Sequence, residues 1–428
     1  MQTRWHYQFT NTVNKMPPTI ALRVQALSKS YPRQFWLLMG GMLINTIGMM
    51  FIWPFLNIYL KETLGIPVAT ATLLPMMEQG VSLFTTLAAG SVADRFGRKW
   101  LMALSLGAVA SVYFLMGFAT QWWMFAVLLG LRGFFLPLYR VAADTMVADL
   151  ITDESERMPA YSLLRTANNL GVAIGPVLGG LVAAVSYKAS FLAAASAMLF
   201  FAILVTFGMK ETLPGGRKSS QTTGSKASGA APGGYRVILR DHIFMIALLA
   251  FAFNGMGATL PFQLLGIYGK ENFGLSESVI GMIVMVNALM VVFFQVPVSR
   301  VTRKLESLKV LAAGAVFYAL GIISMAFWSQ ALHFALGMAI LTIGELLIAP
   351  TFISFAVNLA PEEMRGRYMS AYWVGWSVSR GIGPALAGQV YDAVSPTAIW
   401  YMGGMWNLLA AVIFASLAPG YRRRKAAK

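Results

Sequence analysis

The sequence predicts an all-α membrane protein: twelve transmembrane helices in two six-helix halves related by a pseudo-twofold axis. Three observations predict it. First, of 428 residues 57% are hydrophobic and only 12% charged, about half the charged fraction of a soluble domain. Second, the apolar residues gather in runs of about 18 or more, long enough to span a bilayer as helices. Helix is the expected form because backbone facing lipid must satisfy its own hydrogen bonds. Third, landmark residues recur in the same order about half a chain apart.

The first half, residues 34–210, holds the spans Phe35–Leu60, Ile66–Ala93, Trp100–Thr120, Gln121–Ala143, Met158–Tyr187 and Ala189–Met209. The second, residues 236–420, holds Ile243–Gly269, Val279–Ser299, Val310–Leu332, His333–Ala360, Tyr368–Tyr391 and Ala393–Gly420. Five of the twelve carry embedded charges: Ile66–Ala93, Gln121–Ala143, Met158–Tyr187, His333–Ala360 and Tyr368–Tyr391. Between the halves, residues 211–235 contain a Gly/Ser-rich stretch, G-G-R-K-S-S-Q-T-T-G-S-K-A-S-G-A-A-P-G-G, the composition of a flexible linker. Residues 1–33 are polar and do not resemble a secretory signal. Residues 421–428 form a basic tail.

The halves repeat. Gly48 and Pro54–Phe55 recur as Gly255 and Pro261–Phe262, and Gly175–Pro176 and Gly180 recur as Gly383–Pro384 and Gly388. Gly90–Lys99 (G-S-V-A-D-R-F-G-R-K) has a decayed counterpart at Gln295–Lys304 (Q-V-P-V-S-R-V-T-R-K), in which Ser299 replaces Asp94. Duplicated halves around a central site are a transporter architecture.

The net charge of +16 is an orientation signal rather than a nucleic-acid footprint. With a cytoplasmic N-terminus, nearly all Lys and Arg fall in loops on that side, and the other side holds only Lys61, Lys188 and Lys270. That is the positive-inside pattern. Arg422, Arg423, Arg424 and Lys425 then face anionic cytoplasmic lipid. The chain has no cysteine and three histidines, which removes disulfides, thiolate metal sites and cysteine nucleophiles. There is no G-x-x-x-x-G-K-[ST] phosphate loop and no nucleophile–base set. The expectation is no enzyme, no metal and no cofactor, with a proton gradient as driving force. The expected partners are a small-molecule substrate, protons and membrane lipids, with the chain a monomer.

Gly90–Lys99 matches G-x-x-x-D-R-x-G-R-K, and on this motif the chain resembles the major facilitator superfamily. Gly90 and Gly97 permit close approach and a tight turn. In that family the loop helps hold the outward-open state. The resemblance gives Gly90, Asp94, Arg95, Gly97, Arg98 and Lys99 a gating role with an acid after span 4, Asp149, or else Asp144. Gly171, Gly175, Pro176, Gly179 and Gly180 resemble the family's antiporter motif; small residues four apart also let helices pack closely. The runs G-E-L-L-I-A-P (Gly344–Pro350) and A-P-E-E-M-R-G-R-Y (Ala360–Tyr368) are similar to the drug:proton antiporter branch.

Ionisable residues at membrane depth are costly and point to function. Glu78, Arg132, Glu345 and Arg380 each lie midway along a span. A buried carboxylate has its charged form disfavoured, so it can load and release a proton as a cavity alternates between faces. Glu345 is the first candidate and Glu78 the second. Arg132 and Glu345 occupy matching places, each five residues before a proline (Pro137, Pro350), which suggests that they face each other across the pseudo-twofold axis. Alternatively Glu345 is neutralised by Arg380 or Arg132. Arg132 falls where the family has its span-4 arginine, but Phe135, Leu136 and Pro137 replace the small residues usual after it. Cavity-lining candidates are Asn45, Trp53, Phe134, Tyr139, Asn254, Asn287, Trp373 and Trp376; aromatic residues suit adaptable apolar pockets.

The resemblance implies the major facilitator fold and proton-coupled efflux of hydrophobic or cationic small molecules by alternating access, in a bacterial cytoplasmic (inner) membrane with both termini cytoplasmic. The alternatives are a proton-coupled transporter of a polar metabolite (sugar, organic acid or amino acid), a lipid or lysolipid translocator, and a non-transporting receptor or scaffold.

Overall fold

The computed structural model describes residues 31–213, 234–327, 329–361 and 364–426. The predicted linker therefore falls mostly outside the described residues, as do residues 1–30 of the N-terminal segment, Glu362, Glu363 and the tail side chains beyond Arg422. All regular secondary structure among the described residues is helical. In chain order the helices of the first half are α1 (Arg33–Met50), α2 (Leu56–Leu64), α3 (Val68–Phe96), α4 (Arg98–Met116), α5 (Trp122–Leu150), α6 (Glu154–Ala183) and α7 (Tyr187–Gly208). Those of the second half are α8 (Gly234–Arg240), α9 (His242–Ala258), α10 (Leu260–Phe273), α11 (Glu277–Thr302), α12 (Ser307–Ser324), α13 (Ala331–Leu359), α14 (Arg365–Ala393) and α15 (Ala398–Ala426).

Among the described residues nine helical segments are long and apolar enough to cross a membrane: α4 to α7, α9 with α10, α11 to α13, and α15. The other three predicted spans are α1 with α2, interrupted by turns at residues 51–55, and the single helices α3 and α14. Two of them carry cavity charges, Glu78 on α3 and Arg380 on α14.

The repeated Pro–Phe pairs explain a shared break. Proline cannot donate to the helical ladder, and the first span of each half is interrupted there: turns at residues 51–55 separate α1 from α2, and Thr259 with Pro261 separates α9 from α10. The broken spans end alike, on Gly65 at φ +67° and Gly274 at φ +65°, left-handed caps that glycine adopts without strain.

The connections alternate between two ends of the bundle. One end gathers most of the basic loops (residues 94–99, 149–157, 210–213 and 300–309) and is called the basic face here. The other, the opposite face, carries residues 61–68, 184–188, 270–277 and 393–398. The halves meet along two crossings, α6 on α11 and α14 on α3. Glycines permit both. A Cβ on Gly180 would lie 2.5 Å from the Glu277 carbonyl oxygen, one on Gly388 would strike Thr72, and one on Gly281 would strike the Pro176 carbonyl.

On the opposite face the halves are also tied by polar contacts. Lys270 Nζ lies 2.7 Å from Glu62 Oε2 and contacts Glu277, while Lys61 Nζ lies 3.8 Å from Glu271 Oε1. The Tyr187 hydroxyl donates to Glu277 Oε1 at 2.6 Å. The Ala69 amide donates to Asp392 at 2.7 Å, and Asn57 Nδ2 to the Gln263 carbonyl at 3.0 Å. On the basic face Arg98 with Asp149, Tyr31 with Glu156, Tyr368 with Asp241 and Arg422 with Glu306 each stay within one half. Arg140, Asp144 and Arg165 are exposed beneath them. The bundle is closed on the opposite face and open toward the basic face.

Candidate functional site

Two adjoining cavities occupy the centre between the halves, about 460 Å³ and 220 Å³ in volume. The larger is framed mainly by the first half and the smaller mainly by the second, and Met50, Trp53, Val172 and Arg380 line both. On α5 the lining positions Arg132, Leu136, Tyr139, Arg140 and Ala143 recur three or four apart, one stripe of a 3.6-residue helix.

Glu78 and Arg132 form the most buried charge pair of the centre, with Arg132 Nη1 2.8 Å from Glu78 Oε2 and both residues at most 3% exposed. Gly133 makes the approach possible, since a Cβ there would lie 2.6 Å from the Glu78 carbonyl oxygen. The Arg132 guanidinium also lies over the Trp53 ring, 4.9 Å from its centroid, and near Tyr113 at 5.5 Å. These are cation–π distances.

Glu345 differs in kind. Its Oε2 accepts a hydrogen bond from Asn287 Nδ2 at 2.6 Å, and that same amide donates to Thr342 at 3.0 Å. Among the described residues no cation reaches ion-pair distance of Glu345. The expectation that Arg132 and Glu345 face each other is therefore corrected, and so is neutralisation of Glu345 by Arg380 or Arg132. Repeat-equivalent positions are related by the pseudo-twofold rotation, which does not bring them into contact, whereas α3 packs directly beside α5 and delivers Glu78. Arg380 forms no ion pair among the described residues; its backbone carbonyl accepts from Gln263 Nε2 at 3.4 Å.

Of the other lining candidates, Asn45, Trp53 and Tyr139 line the larger cavity, and Trp53, Asn287 and Trp376 the smaller. Phe134, Asn254 and Trp373 line neither. Phe134 lies two residues from Arg132, about 200° around the helix, and is 46% exposed. Asn254 is buried inside the second half, and Trp373 is exposed and meets Tyr372 edge-on. Sequence reasoning missed Arg140 and Gln263 as lining residues; Arg140 was detectable as the position two turns beyond Arg132. It offered Asp144 only as a gating alternative, whereas Asp144 lines the larger cavity.

At the basic face Arg98 joins the first-half loop to the end of α5. It lies 3.0 Å from Asp94 Oδ1 and 3.1 Å from Asp149 Oδ2, so Asp149 is the partner. The decapeptide is more helical than expected: α3 continues to Phe96 and only Gly97, at φ +86°, makes the turn. Gly90 is corrected as a close-approach residue, because a Cβ there meets no atom within 4 Å. Glu211, unflagged by the sequence reading, accepts from the Arg98 and Lys99 amides at 2.9 and 3.1 Å and caps α4. In the glycine motif, Cβ atoms on Gly171, Gly175 and Gly179 would strike Thr46, Met50 and Phe51. That face of α6 thus packs on α1, and Gly180 on the other half.

A family model described as Major Facilitator Superfamily matches residues 38–270 and 263–428. The chain is 30% identical over 372 residues to the uncharacterized MFS-type transporter YttB of Bacillus subtilis (strain 168), covering 84% of this chain and 89% of that one. It is 27% identical to a Na(+), Li(+), K(+)/H(+) antiporter of Planococcus maritimus, covering 89% and 92%. It is 24% identical to the multidrug resistance protein MdtH of Yersinia pestis (strain Pestoides F), covering 92% and 95%. Among solved structures, a POT family transporter in complex with 5-aminolevulinic acid shares the fold, with a TM-score of 0.74 at 16% identity over 91% of this chain and 96% of that one.

Proposed function

The chain belongs to the Major Facilitator Superfamily, as an integral membrane transporter and not an enzyme, and from that premise we propose that it exports apolar small molecules in exchange for protons. Its twelve spans form halves 34–210 and 236–420, which rock about the central cavities. The basic face is cytoplasmic by the positive-inside rule, with both termini on that side, in a bacterial cytoplasmic membrane. The structure is then the inward-open member of the alternating-access cycle. Glu345 is the proton carrier, and Glu78 is the counter-charge that keeps Arg132 buried.

One observation carries this assignment: Glu345 lines a central cavity, held by a neutral amide and by no cation among the described residues. A carboxylate so placed can lose its charge without stranding a partner, whereas protonating Glu78 would leave Arg132 uncompensated. The antiporter and multidrug relatives support the direction and the driving ion. The cavity lining supports apolar over cationic cargo, because Arg132, Arg140 and Arg380 face Glu78, Asp144 and Glu345 with no surplus of acid.

The test is flux of a neutral lipophilic dye in proteoliposomes under an imposed pH gradient. The wild type is expected to respond to the gradient, and Glu345→Gln to lose at least about 90% of that response, a change of roughly 1.4 kcal/mol or more. Full gradient-driven flux in Glu345→Gln would refute the assignment.

A further inference from the structure

We propose that the central cavity recognises amphipathic organic anions, with the Arg380 guanidinium as the docking group for a carboxylate or comparable anionic head. This rests on the reading of the cavity as the substrate pathway and narrows the preferred cargo from apolar molecules in general to apolar bodies that carry an anionic head.

Some arginines of the described residues hold carboxylate partners. Arg98 is held by Asp94 and Asp149, Arg132 by Glu78 and Arg422 by Glu306. Arg380 lies deeper than the first and last of these, in the wall shared by both cavities, yet no carboxylate among the described residues reaches it. An unpaired guanidinium at membrane depth is costly to keep, and a planar fork of donors is suited to a planar carboxylate. The other charged groups of the two cavities are Glu78, Arg132, Arg140 and Asp144 in the larger and Glu345 in the smaller. Glu78 is already committed to Arg132, and Arg140 forms no ion pair among the described residues. Glu345 is held by Asn287 rather than by Arg380, so when Glu345 carries its proton the balance beside Arg380 is positive.

The surroundings supply the rest of the ligand. Trp53, Trp376 and Phe262 line the smaller cavity beside Arg380, and its 220 Å³ accepts a bicyclic aromatic body. The larger cavity toward the basic face carries Arg140 and Asp144 together, so the choice of charge falls to Arg380 deeper in.

The experiment uses the full chain purified in detergent, with no pH gradient, and three isosteric probes: 2-naphthoate, 2-naphthamide and 2-naphthylmethylammonium. Binding is read by calorimetric titration. In the wild type the naphthoate is expected to bind at least about tenfold more tightly than the amide, the size of one charge-assisted hydrogen-bond pair, with the ammonium weakest. In Arg380→Gln the naphthoate and amide should converge to within about twofold; Arg380→Lys should keep part of the preference. Equal binding of amide and naphthoate in the wild type, tighter ammonium binding, an unchanged preference in Arg380→Gln, or no naphthoate binding would each overturn the proposal. If Arg380→Gln does not yield folded protein, the wild-type ranking and Arg380→Lys decide. Anion preference is read without a gradient and proton coupling by Glu345→Gln flux, so the two ideas fail separately.

Discussion

Replacing Lys270 by Gln should open the face that is closed in this structure. Lys270 makes two contacts that cross or brace the boundary between halves, one with Glu62 at 2.7 Å and one with Glu277. The first is a half-exposed pair, about 0.2–1 kcal/mol. The second matters more, because the Glu277 side chain is only 8% exposed. Without Lys270 it keeps the Tyr187 hydroxyl and loses its cation, a deficit of about 1–3 kcal/mol. A combined loss near 2 kcal/mol changes the ratio of closed to open opposite face about thirtyfold. The chain has no cysteine, so Thr63→Cys and Val394→Cys, both exposed and in different halves, give a spin-label pair with no background. Double electron–electron resonance should show a longer-distance population rising in Lys270→Gln. Lys61→Gln removes a pair at 3.8 Å with both side chains about one-third exposed, and should shift the ratio less than about threefold. An unchanged distance distribution in Lys270→Gln, or a larger effect from Lys61→Gln, would refute this reasoning.

Three further outcomes are expected. Arg132→Gln strands Glu78 and should cost about 3–5 kcal/mol; Glu78→Gln with Arg132→Gln should recover part of it, read as a double-mutant cycle of thermal melts in detergent. Gly180→Ala places a methyl 2.5 Å from the Glu277 carbonyl oxygen and should cost about 1–3 kcal/mol in the same melts, whereas Gly90→Ala meets open space and should gain about 0.5–1 kcal/mol of helix propensity. Hydrogen bonds from Arg422 hold the Glu306 carboxyl below its ordinary value. The contact therefore contributes above the unfolded carboxylate range and is lost as pH falls through the depressed folded value. The difference in melting between wild type and Arg422→Gln should accordingly be present at neutral pH and vanish in acid.

The spans were legible in the sequence because apolar run length is a local signal; Pro54 and Pro261 marked the repeat, but the breaks beside them and the caps at Gly65 and Gly274 came from the structure. The pairing of charges was not. Arg132 and Glu345 match in sequence offset, but only helix adjacency and rotation decide that Arg132 meets Glu78 while Glu345 meets Asn287. Rotation likewise turned Phe134 outward and Arg140 inward along one helix. Gly97 was legible from its turn, whereas its cap, Glu211, comes from the end of a different span far along the chain. Asp149 was found because the motif names an acid at that end of the fourth span.

The two faces differ in how their closure is built, and α11 connects that difference to the centre. On the opposite face the closure is reciprocal: each half offers a Lys–Glu pair, Lys61–Glu62 and Lys270–Glu271, and each lysine takes the other half's glutamate. The glycine crossings are reciprocal too, with Gly180 on α11 and Gly388 on α3. On the basic face the copy is incomplete: Ser299 stands where the first half has Asp94, its hydroxyl paired with Gln295, although Arg303 matches Arg98. Helix α11 begins at Glu277, inside the reciprocal closure, and reaches Asn287, the amide that holds Glu345, after about 15 Å of helix. A change in the charge of Glu345 alters its hold on Asn287, and a continuous helix carries that displacement to Glu277 without any intermediate contact. Under the proposal that Glu345 carries the proton, coupling to the gate needs one rigid element in the second half, and the proposed cargo contact at Arg380 stands apart from it.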